Sequence, residues 1–359
     1  MRPLMSGSQT STADSTTPRV ASVAVEFPPH HDGQQETVTT LAGFAGEDFW
    51  RFAESSGVRA RHHALPLHRY AELSGFTEAN DAFIDVAVEL GERALRSALD
   101  KAGLAPSEVD IVFSTTVTGL AVPTLDARLA TRVGLRPDVK RVPLFGLGCV
   151  AGAAGVARMT DYLRAFPSQV AALLAVELCT LTVQRNDRSV ANLIATALFG
   201  DGASAVIATG AQRTAAGPKV LATRSRLYPD TEEVMGWHIG SDGFRIKLSV
   251  EVATVAEKYL GEDVRNFLAD YGLTTADVSA WVCHPGGLKV IEAVENVLEL
   301  PADALDRTRK SLQENGNLSS VSVLDVLHAT LADPPAPGSI GLMIAMGPGF
   351  CSELVLLGF

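Results

Sequence analysis

Cys149 stands at the end of an apolar run that glycines interrupt, within residues 143–155 of the chain. The glycines predict a tight turn after a strand, and the small residues after the cysteine predict a helix. The first turn of a helix has unpaired N–H groups and a partial positive charge, which favour a thiolate over a thiol. We therefore expect an activated nucleophile here, with a buried structural cysteine as the alternative.

Two further polar residues, His284 and Asn317, also lie next to glycine turns that follow apolar segments. A Cys–His–Asn set divides the work of acyl transfer among three groups. The thiolate attacks an acyl carbonyl and becomes a thioester, and the histidine accepts or holds the thiol proton. The asparagine NH2 group, together with the histidine, stabilises an oxyanion. Each residue alone is a weak signal, because such a histidine is often structural and such an asparagine is often a helix cap.

The composition excludes several classes of protein. The 359 residues are 47% hydrophobic and 20% charged, which suffices for a large core and two fused domains. A net charge of −11 argues against nucleic acid as a general partner. The four cysteines lack the spacing of a disulfide framework or a zinc site, so we expect a reducing cytoplasm. No apolar run predicts membrane insertion, and residues 1–18 are predicted to be a disordered tail.

The chain contains a weak internal duplication. A helical pattern, a glycine, a short acidic loop and a buried strand occur in residues 88–113 and again in residues 264–282, with an offset of 169 between Val109 and Val278. The same offset places Cys149 beside Asn317, so we expect the two to face each other. Alternating strands and helices predict an α/β fold with covered sheets. The predicted halves are residues 19–210, with Cys149, and 211–359, with His284 and Asn317, joined near residues 209–219.

At this point a family resemblance can be named. The chain resembles the type III polyketide synthases, relatives of chalcone synthase that have the duplicated, αβαβα-layered thiolase fold, from about residue 19 to residue 359. The resemblance is carried by five motifs: Gly148-Cys149, Leu198-Phe-Gly-Asp-Gly202, His284-Pro-Gly-Gly287, Gly316-Asn-Leu-Ser-Ser320 and Gly347-Pro-Gly349.

The resemblance implies a homodimeric acyltransferase that uses CoA thioesters and no acyl carrier protein. A starter acyl group would move from CoA to Cys149. Malonyl-CoA would then lose CO2, and its enolate would attack the enzyme thioester in a Claisen condensation. His284 and Asn317 would stabilise the enolate and the thioester carbonyl, and no metal or redox cofactor would be needed.

The resemblance also implies residues that bind substrate. Phe199 would be a gatekeeper between the CoA tunnel and the acyl cavity, and Ile246 takes the place of a second, aromatic gatekeeper in the plant enzymes. The other predicted substrate-binding residues are Val117, Cys179, Thr182, Ser319, Gly347, Pro348 and Gly349. Of the basic residues that contact CoA in plant relatives, only Arg51 aligns cleanly, and Arg59 or Arg61 would substitute for the others.

The small side chains of Val117, Cys179 and Thr182 would open a tunnel for a long aliphatic chain, whose burial gains roughly 0.8 kcal/mol per methylene. The motifs look most similar to those of bacterial enzymes that make alkylpyrones from fatty acyl-CoA starters. The starter, the number of extensions, the use of methylmalonyl-CoA and the mode of ring closure stay open, including closure to a resorcinol or another aromatic product. The alternatives are a ketoacyl-acyl carrier protein synthase III, a thioesterase and a non-catalytic binding subunit.

Overall fold

A computed structural model of the protein describes residues 17–45, 49–249 and 251–359. The predicted tail, residues 1–18, therefore lies outside the described residues except for its last two. In the described part of the chain, no helix is long and apolar enough to cross a membrane.

The described part of the chain contains thirteen strands, and nine of them form one sheet. In chain order the strands are β1 (Arg19–Glu26), β2 (His30–Gly33), β3 (Ala60–His63), β4 (Ile111–Thr115), β5 (Lys140–Leu144), β6 (Val170–Leu178), β7 (Asp201–Thr209), β8 (Lys219–Leu227), β9 (Met235–Gly240), β10 (Gly243–Leu248), β11 (Val278–Cys283), β12 (Ile340–Gly347) and β13 (Cys351–Gly358). The order in the large sheet is β11-β12-β13-β8-β1-β7-β6-β4-β5, while β2–β3 and β9–β10 form separate two-stranded sheets.

The described residues also form ten α-helices. They are α1 (Gln34–Ala45), α2 (Phe49–Ser55), α3 (Phe76–Ala102), α4 (Leu125–Val133), α5 (Ala151–Ala165), α6 (Val190–Leu198), α7 (Val252–Ala269), α8 (Leu288–Leu298), α9 (Asp306–Asn315) and α10 (Ser322–Ala332). The helical pattern that precedes Gly103 is confirmed, because α3 ends at a left-handed Gly103 with φ +66°. Glycine is favoured there because it adopts positive φ at little cost.

The strand order repeats between the two parts of the chain. β4 and β6 are parallel, and β6 and β7 are antiparallel; β11, β12 and β13 follow the same pattern. The sequence β4-β6-β7-β1 on one side therefore corresponds to β11-β12-β13-β8 on the other, and β1 meets β8 at Arg19 and Lys219. The duplicated α/β fold is confirmed; the division of the chain at residue 210 stays a prediction.

Helices cover both faces of the sheet. α5 and α10 share one hydrophobic cluster with inward-facing residues from strands of both halves. α3 packs on the opposite face of β1, β6 and β7, and α7 and α8 pack over the C-terminal strands. The result is a layered arrangement with α5 and α10 in the middle. Because Cys149 and Asn317 precede these two helices, the layer brings their segments together.

Glycine makes the close packing of α5 possible. A Cβ atom at Gly152 would lie 2.3 Å from the Ser320 carbonyl oxygen and 2.7 Å from Val323 Cγ1. Both partners are fully buried, so neither moves away easily. The small residues after Cys149 in the sequence are thus required by the approach of the second half of the chain.

We expect Gly152→Ala to lower the free energy of unfolding by about 2 kcal/mol, because the clash outweighs the gain in helix propensity. The measurement is urea unfolding followed by circular dichroism. The control is Gly33→Ala, since a Cβ there meets nothing within 4 Å. Equal stability of Gly152→Ala and the wild type would contradict the close approach of α5 to Ser320.

Candidate active site

The turn that carries Cys149 is shaped by glycine. Cys149 lies in a 3-10 turn, Gly148–Val150, that leads directly into α5. Gly148 has φ +53°, and a Cβ there would lie 2.9 Å from Cδ of Pro348. A larger residue would push the turn away from Pro348. The thiol is held beneath the surface, with 4% of Cys149 exposed.

The loop of residues 347–349 presses on this turn. A Cβ on Gly347 would lie 2.7 Å from Val150 N and 2.8 Å from Leu147 O. Of the three loop residues predicted to bind substrate, Pro348 lines the cavity described below. Gly347 packs behind the nucleophile turn, and Gly349, with φ +138°, packs against Leu227.

Asn317 is fixed by its backbone and by its amide group. Its N–H donates to Leu198 O at 2.9 Å, and its carbonyl accepts from Gly200 N at 3.0 Å. Its side-chain Oδ1 accepts from Ser319 N at 2.8 Å, while Nδ2 donates weakly to Gly286 O at 3.4 Å. The Nδ2 group can therefore turn to a ligand at little cost.

His284 follows the end of β11, and its N–H donates to Ile344 O at 2.9 Å. The side chain is buried, and Nδ1 has no hydrogen-bond partner among the described residues. Asn317 contacts the same loop through Gly286. On the other side, Cys149 Sγ donates to Ser319 Oγ at 3.7 Å. The segments of all three candidate catalytic residues are thus linked by direct contacts.

Burial controls the charge of the site. It raises the pKa of Cys149 to about 12; the Ser319 hydrogen bond opposes this shift, and the charge of Glu177 adds to it. Burial also lowers the pKa of His284 to about 3. Both side chains are therefore neutral at neutral pH in the ligand-free protein. Burial thus opposes the expected effect of the helix start on Cys149, because it removes the water that would solvate a thiolate.

The side chains of several predicted binding residues meet in one cavity that Cys149 adjoins. Those lining it are Val117, Cys179, Thr182, Phe199, Ile246, Ser319 and Pro348. Val117 and Cys179 are both buried. The structure thus brings Cys149 together with the small residues and with both predicted gatekeepers.

The sequence did not single out one wall of this cavity. Met235 and Trp237 of β9 line it, and Leu248 lines it beside Ile246 on β10. Trp237 pairs directly with Ile246 across the two strands. Alternate residues of a strand share a face. The spacing of two within each pair could therefore have indicated that these four residues lie on the same face of the hairpin.

Glu177 is a second residue that the sequence analysis missed. Its buried carboxyl group accepts hydrogen bonds from Ser320 Oγ at 2.6 Å, Thr118 Oγ1 at 3.0 Å and Val117 N at 3.1 Å. Burial raises the pKa of Glu177 to about 7. The carboxyl group joins a wall of the cavity to the segment after Asn317. Its position at the end of a buried strand was the only sequence signal.

The three arginines predicted to bind CoA lie in different surroundings. Arg51, in α2, and Arg59 are exposed. Arg61 is 1% exposed, and its guanidinium group donates to Gln34 Oε1 at 3.1 Å, Thr196 O at 2.8 Å and Phe199 O at 2.6 Å. The side chain of Arg61 thus points inward from β3 and lines the cavity, and its contact with CoA stays a prediction.

We expect alkylation of Cys149 by iodoacetamide to accelerate about tenfold per pH unit from about pH 6 to about pH 10, because the thiolate fraction of a group with a pKa near 12 rises that way. Ser319→Ala should slow the reaction further, since it removes the hydrogen bond that lowers the pKa. Peptide mass spectrometry identifies the alkylated cysteine, with Cys149→Ala as the control. A plateau below about pH 8 would instead indicate a thiolate–imidazolium pair.

Two family models match most of the chain. The model described as "Chalcone and stilbene synthases, N-terminal domain" matches residues 37–212, and the model for the C-terminal domain of the same family matches residues 219–358.

Individual relatives cover nearly the whole chain. A 1,3,6,8-tetrahydroxynaphthalene synthase of Streptomyces peucetius subsp. caesius is 52% identical over 349 residues, which are 94% of this chain and 92% of the relative. A phloroglucinol synthase of Pseudomonas fluorescens is 30% identical over 337 residues, covering 92% of this chain and 96% of the relative. The solved structure of a 1,3,6,8-tetrahydroxynaphthalene synthase from Streptomyces coelicolor A3(2) matches with a TM-score of 0.90 at 28% identity, covering 95% of this chain and 99% of that one.

Proposed function

The chain belongs to the chalcone and stilbene synthase family and is a type III polyketide synthase, and we propose that it builds 1,3,6,8-tetrahydroxynaphthalene from malonyl-CoA. The observation that carries the choice of product is the 52% identity, over 94% of the chain, to a synthase of that name. The ten ring carbons of this compound correspond to five two-carbon units, and four of the five alternate positions carry oxygen.

Acyl transfer begins at Cys149. Its sulfur attacks the thioester carbonyl of an acyl-CoA, and the carbon–sulfur bond to CoA breaks. Because the thiol has a raised pKa and His284 is neutral, the thiol proton moves to the imidazole as the attack proceeds. The proton then passes to the leaving CoA sulfur. In this sequence of steps, Cys149 does not need to be a thiolate before the acyl-CoA binds.

Chain extension uses Asn317 and His284 together. Malonyl-CoA loses CO2, and the electrons of the broken bond form the enolate of its thioester. Asn317 Nδ2, held only weakly by Gly286 O at 3.4 Å, donates a hydrogen bond to the enolate oxygen, and His284 supplies a second. The enolate carbon attacks the thioester on Cys149, and the sulfur leaves.

The second candidate function is the alkylpyrone synthesis predicted from the sequence. The observation in its favour is the apolar part of the cavity, where Val117, Cys179 and Ile246 line the space beside Cys149. A fatty acyl starter would occupy that space. The contacts of Arg51 and Arg59 with CoA, a homodimer, a cytoplasmic location and the lack of a cofactor also stay predictions.

We expect malonyl-CoA alone to yield tetrahydroxynaphthalene, detected by liquid chromatography and mass spectrometry, because one compound supplies both starter and extender. Intact-protein mass spectrometry should show an acyl adduct on the wild type, and Cys149→Ala should show neither adduct nor product. Product formation only after addition of lauroyl-CoA, with an alkylpyrone released, would replace this proposal by the second candidate. Product from Cys149→Ala would remove Cys149 from the reaction.

We expect Asn317→Ala to lower malonyl-CoA decarboxylation by about 100-fold, the usual cost of one oxyanion donor, and to slow acylation of Cys149 by less than about tenfold. Release of CO2 and the rate of adduct formation are measured separately. The control is Asn315→Ala, two residues away, whose side chain donates to Asp325 Oδ2 at 3.1 Å. Equal losses in both steps would contradict the role given to Asn317.

A further inference from the structure

Glu177 is a fully buried carboxyl group near the end of β6. It takes no part in the steps assigned to Cys149, His284 and Asn317. A carboxyl group without contact to water is costly to keep in a fold unless its neighbours compensate it. Its contacts therefore indicate what it does.

The hydrogen bonds of Glu177 join two separate segments. On one side, Oε2 accepts from Val117 N at 3.1 Å, Thr118 Oγ1 at 3.0 Å and Thr116 Oγ1 at 3.3 Å. Val117 and Thr118 line the acyl cavity. On the other side, Oε1 accepts from Ser320 Oγ at 2.6 Å. One carboxyl group thus ties the cavity wall to the segment that leads into α10.

This second segment contacts the nucleophile directly. Cys149 Sγ donates to Ser319 Oγ at 3.7 Å, and Ser319 precedes the residue that binds Glu177. The carbonyl oxygen of Ser320 also lies 2.3 Å from where a Cβ atom on Gly152 would be, in the helix that follows Cys149. The carboxyl group therefore holds a segment that touches the nucleophile both at its thiol and at its helix.

The charge of Glu177 also reaches the thiol. Its four donors are uncharged groups, and burial raises the pKa of Glu177 to about 7 against their effect. The ionised carboxylate raises the pKa of Cys149 and, together with Asp201, that of Cys179. The pKa of His284, the other titratable group of the site, is lowered by burial. At pH 7 roughly half of the molecules carry the charge on Glu177.

We propose that Glu177 is a positioning residue that acts on Cys149 in two ways. Its hydrogen bonds hold the acceptor of the thiol, Ser319, against the cavity wall. Its charge, when present, keeps Cys149 in the thiol form, and a proton on Glu177 releases this restraint. The inference goes beyond the proposed function, because it concerns the nucleophile in the ligand-free protein.

The test follows the reaction of Cys149 with methyl methanethiosulfonate, a small reagent that modifies thiolates. Rates are measured by peptide mass spectrometry for the wild type and for Glu177→Gln, which keeps the shape of the side chain without its charge. We expect equal rates at about pH 5.5, where Glu177 is neutral, and at least about threefold faster reaction of the variant above about pH 8.5, where only the wild type has the charge.

The second variant, Ser320→Ala, moves the titration of Glu177 without removing it. The Ser320 hydroxyl favours the ionised carboxylate, so its loss raises the pKa of Glu177. We expect Ser320→Ala to react faster than the wild type only in an interval just above about pH 7, and at the same rate at about pH 5.5 and above about pH 9. A purely structural effect would change the rate by one factor at every pH.

Cys351 is the control within the same samples. Burial and the charge of Glu353 raise its pKa, so its rate should be the same in all three proteins. Circular dichroism checks folding. If Glu177→Gln does not fold, the profile of Ser320→Ala decides.

A ratio of variant to wild-type rate that stays constant with pH in folded Glu177→Gln, or that falls as the pH rises, would overturn the role of Glu177. A Ser320→Ala profile without the faster interval, or a parallel change at Cys351, would overturn it as well. These results leave the proposed function standing, because that function is tested separately by the products formed from malonyl-CoA.

Discussion

Cys149 and Asn317 come from different halves of the chain, and their segments come together because two glycines allow very close contacts at the centre of the fold. The turn at Gly148 touches Pro348, and Gly152 touches the Ser320 carbonyl. At both contacts there is room for a hydrogen atom and not for a side chain. Both residues are therefore positioned by closely packed segments, where displacements of a few tenths of an ångström are already costly.

The same packing removes water from the site and keeps it neutral. The pKa of Cys149 is raised and that of His284 is lowered by burial. A thiol in this state reacts slowly with oxidants and adventitious electrophiles, because the thiolate is the reactive form.

Much of the fold followed from local patterns in the sequence, and part of the site did not. The repeated pattern around Val109 and Val278 predicts equivalent strands, and the glycine turns locate Cys149 and Asn317, because periodicity and turns are properties of short segments. Whether the Arg61 side chain is buried, and whether the pKa of Cys149 is raised or lowered, depends on which segments cover these groups in the folded chain. Arg61 resembled a surface residue because it stands among other basic residues, yet the alternation of β3 turns it inward.

Among the described strands, β9 and β10 of the hairpin Met235–Leu248 pair with each other and do not belong to the nine-stranded sheet. Trp237 and Ile246 thus face the cavity from a part of the backbone whose hydrogen bonds are independent of the strands that lead to Cys149 and His284. Substitutions in the hairpin change the shape of the acyl space without disturbing the strands on which the chemistry depends. Residues that shape the cavity can therefore change in evolution independently of the residues proposed to carry out the reaction. Related proteins can then form different products by the same reaction.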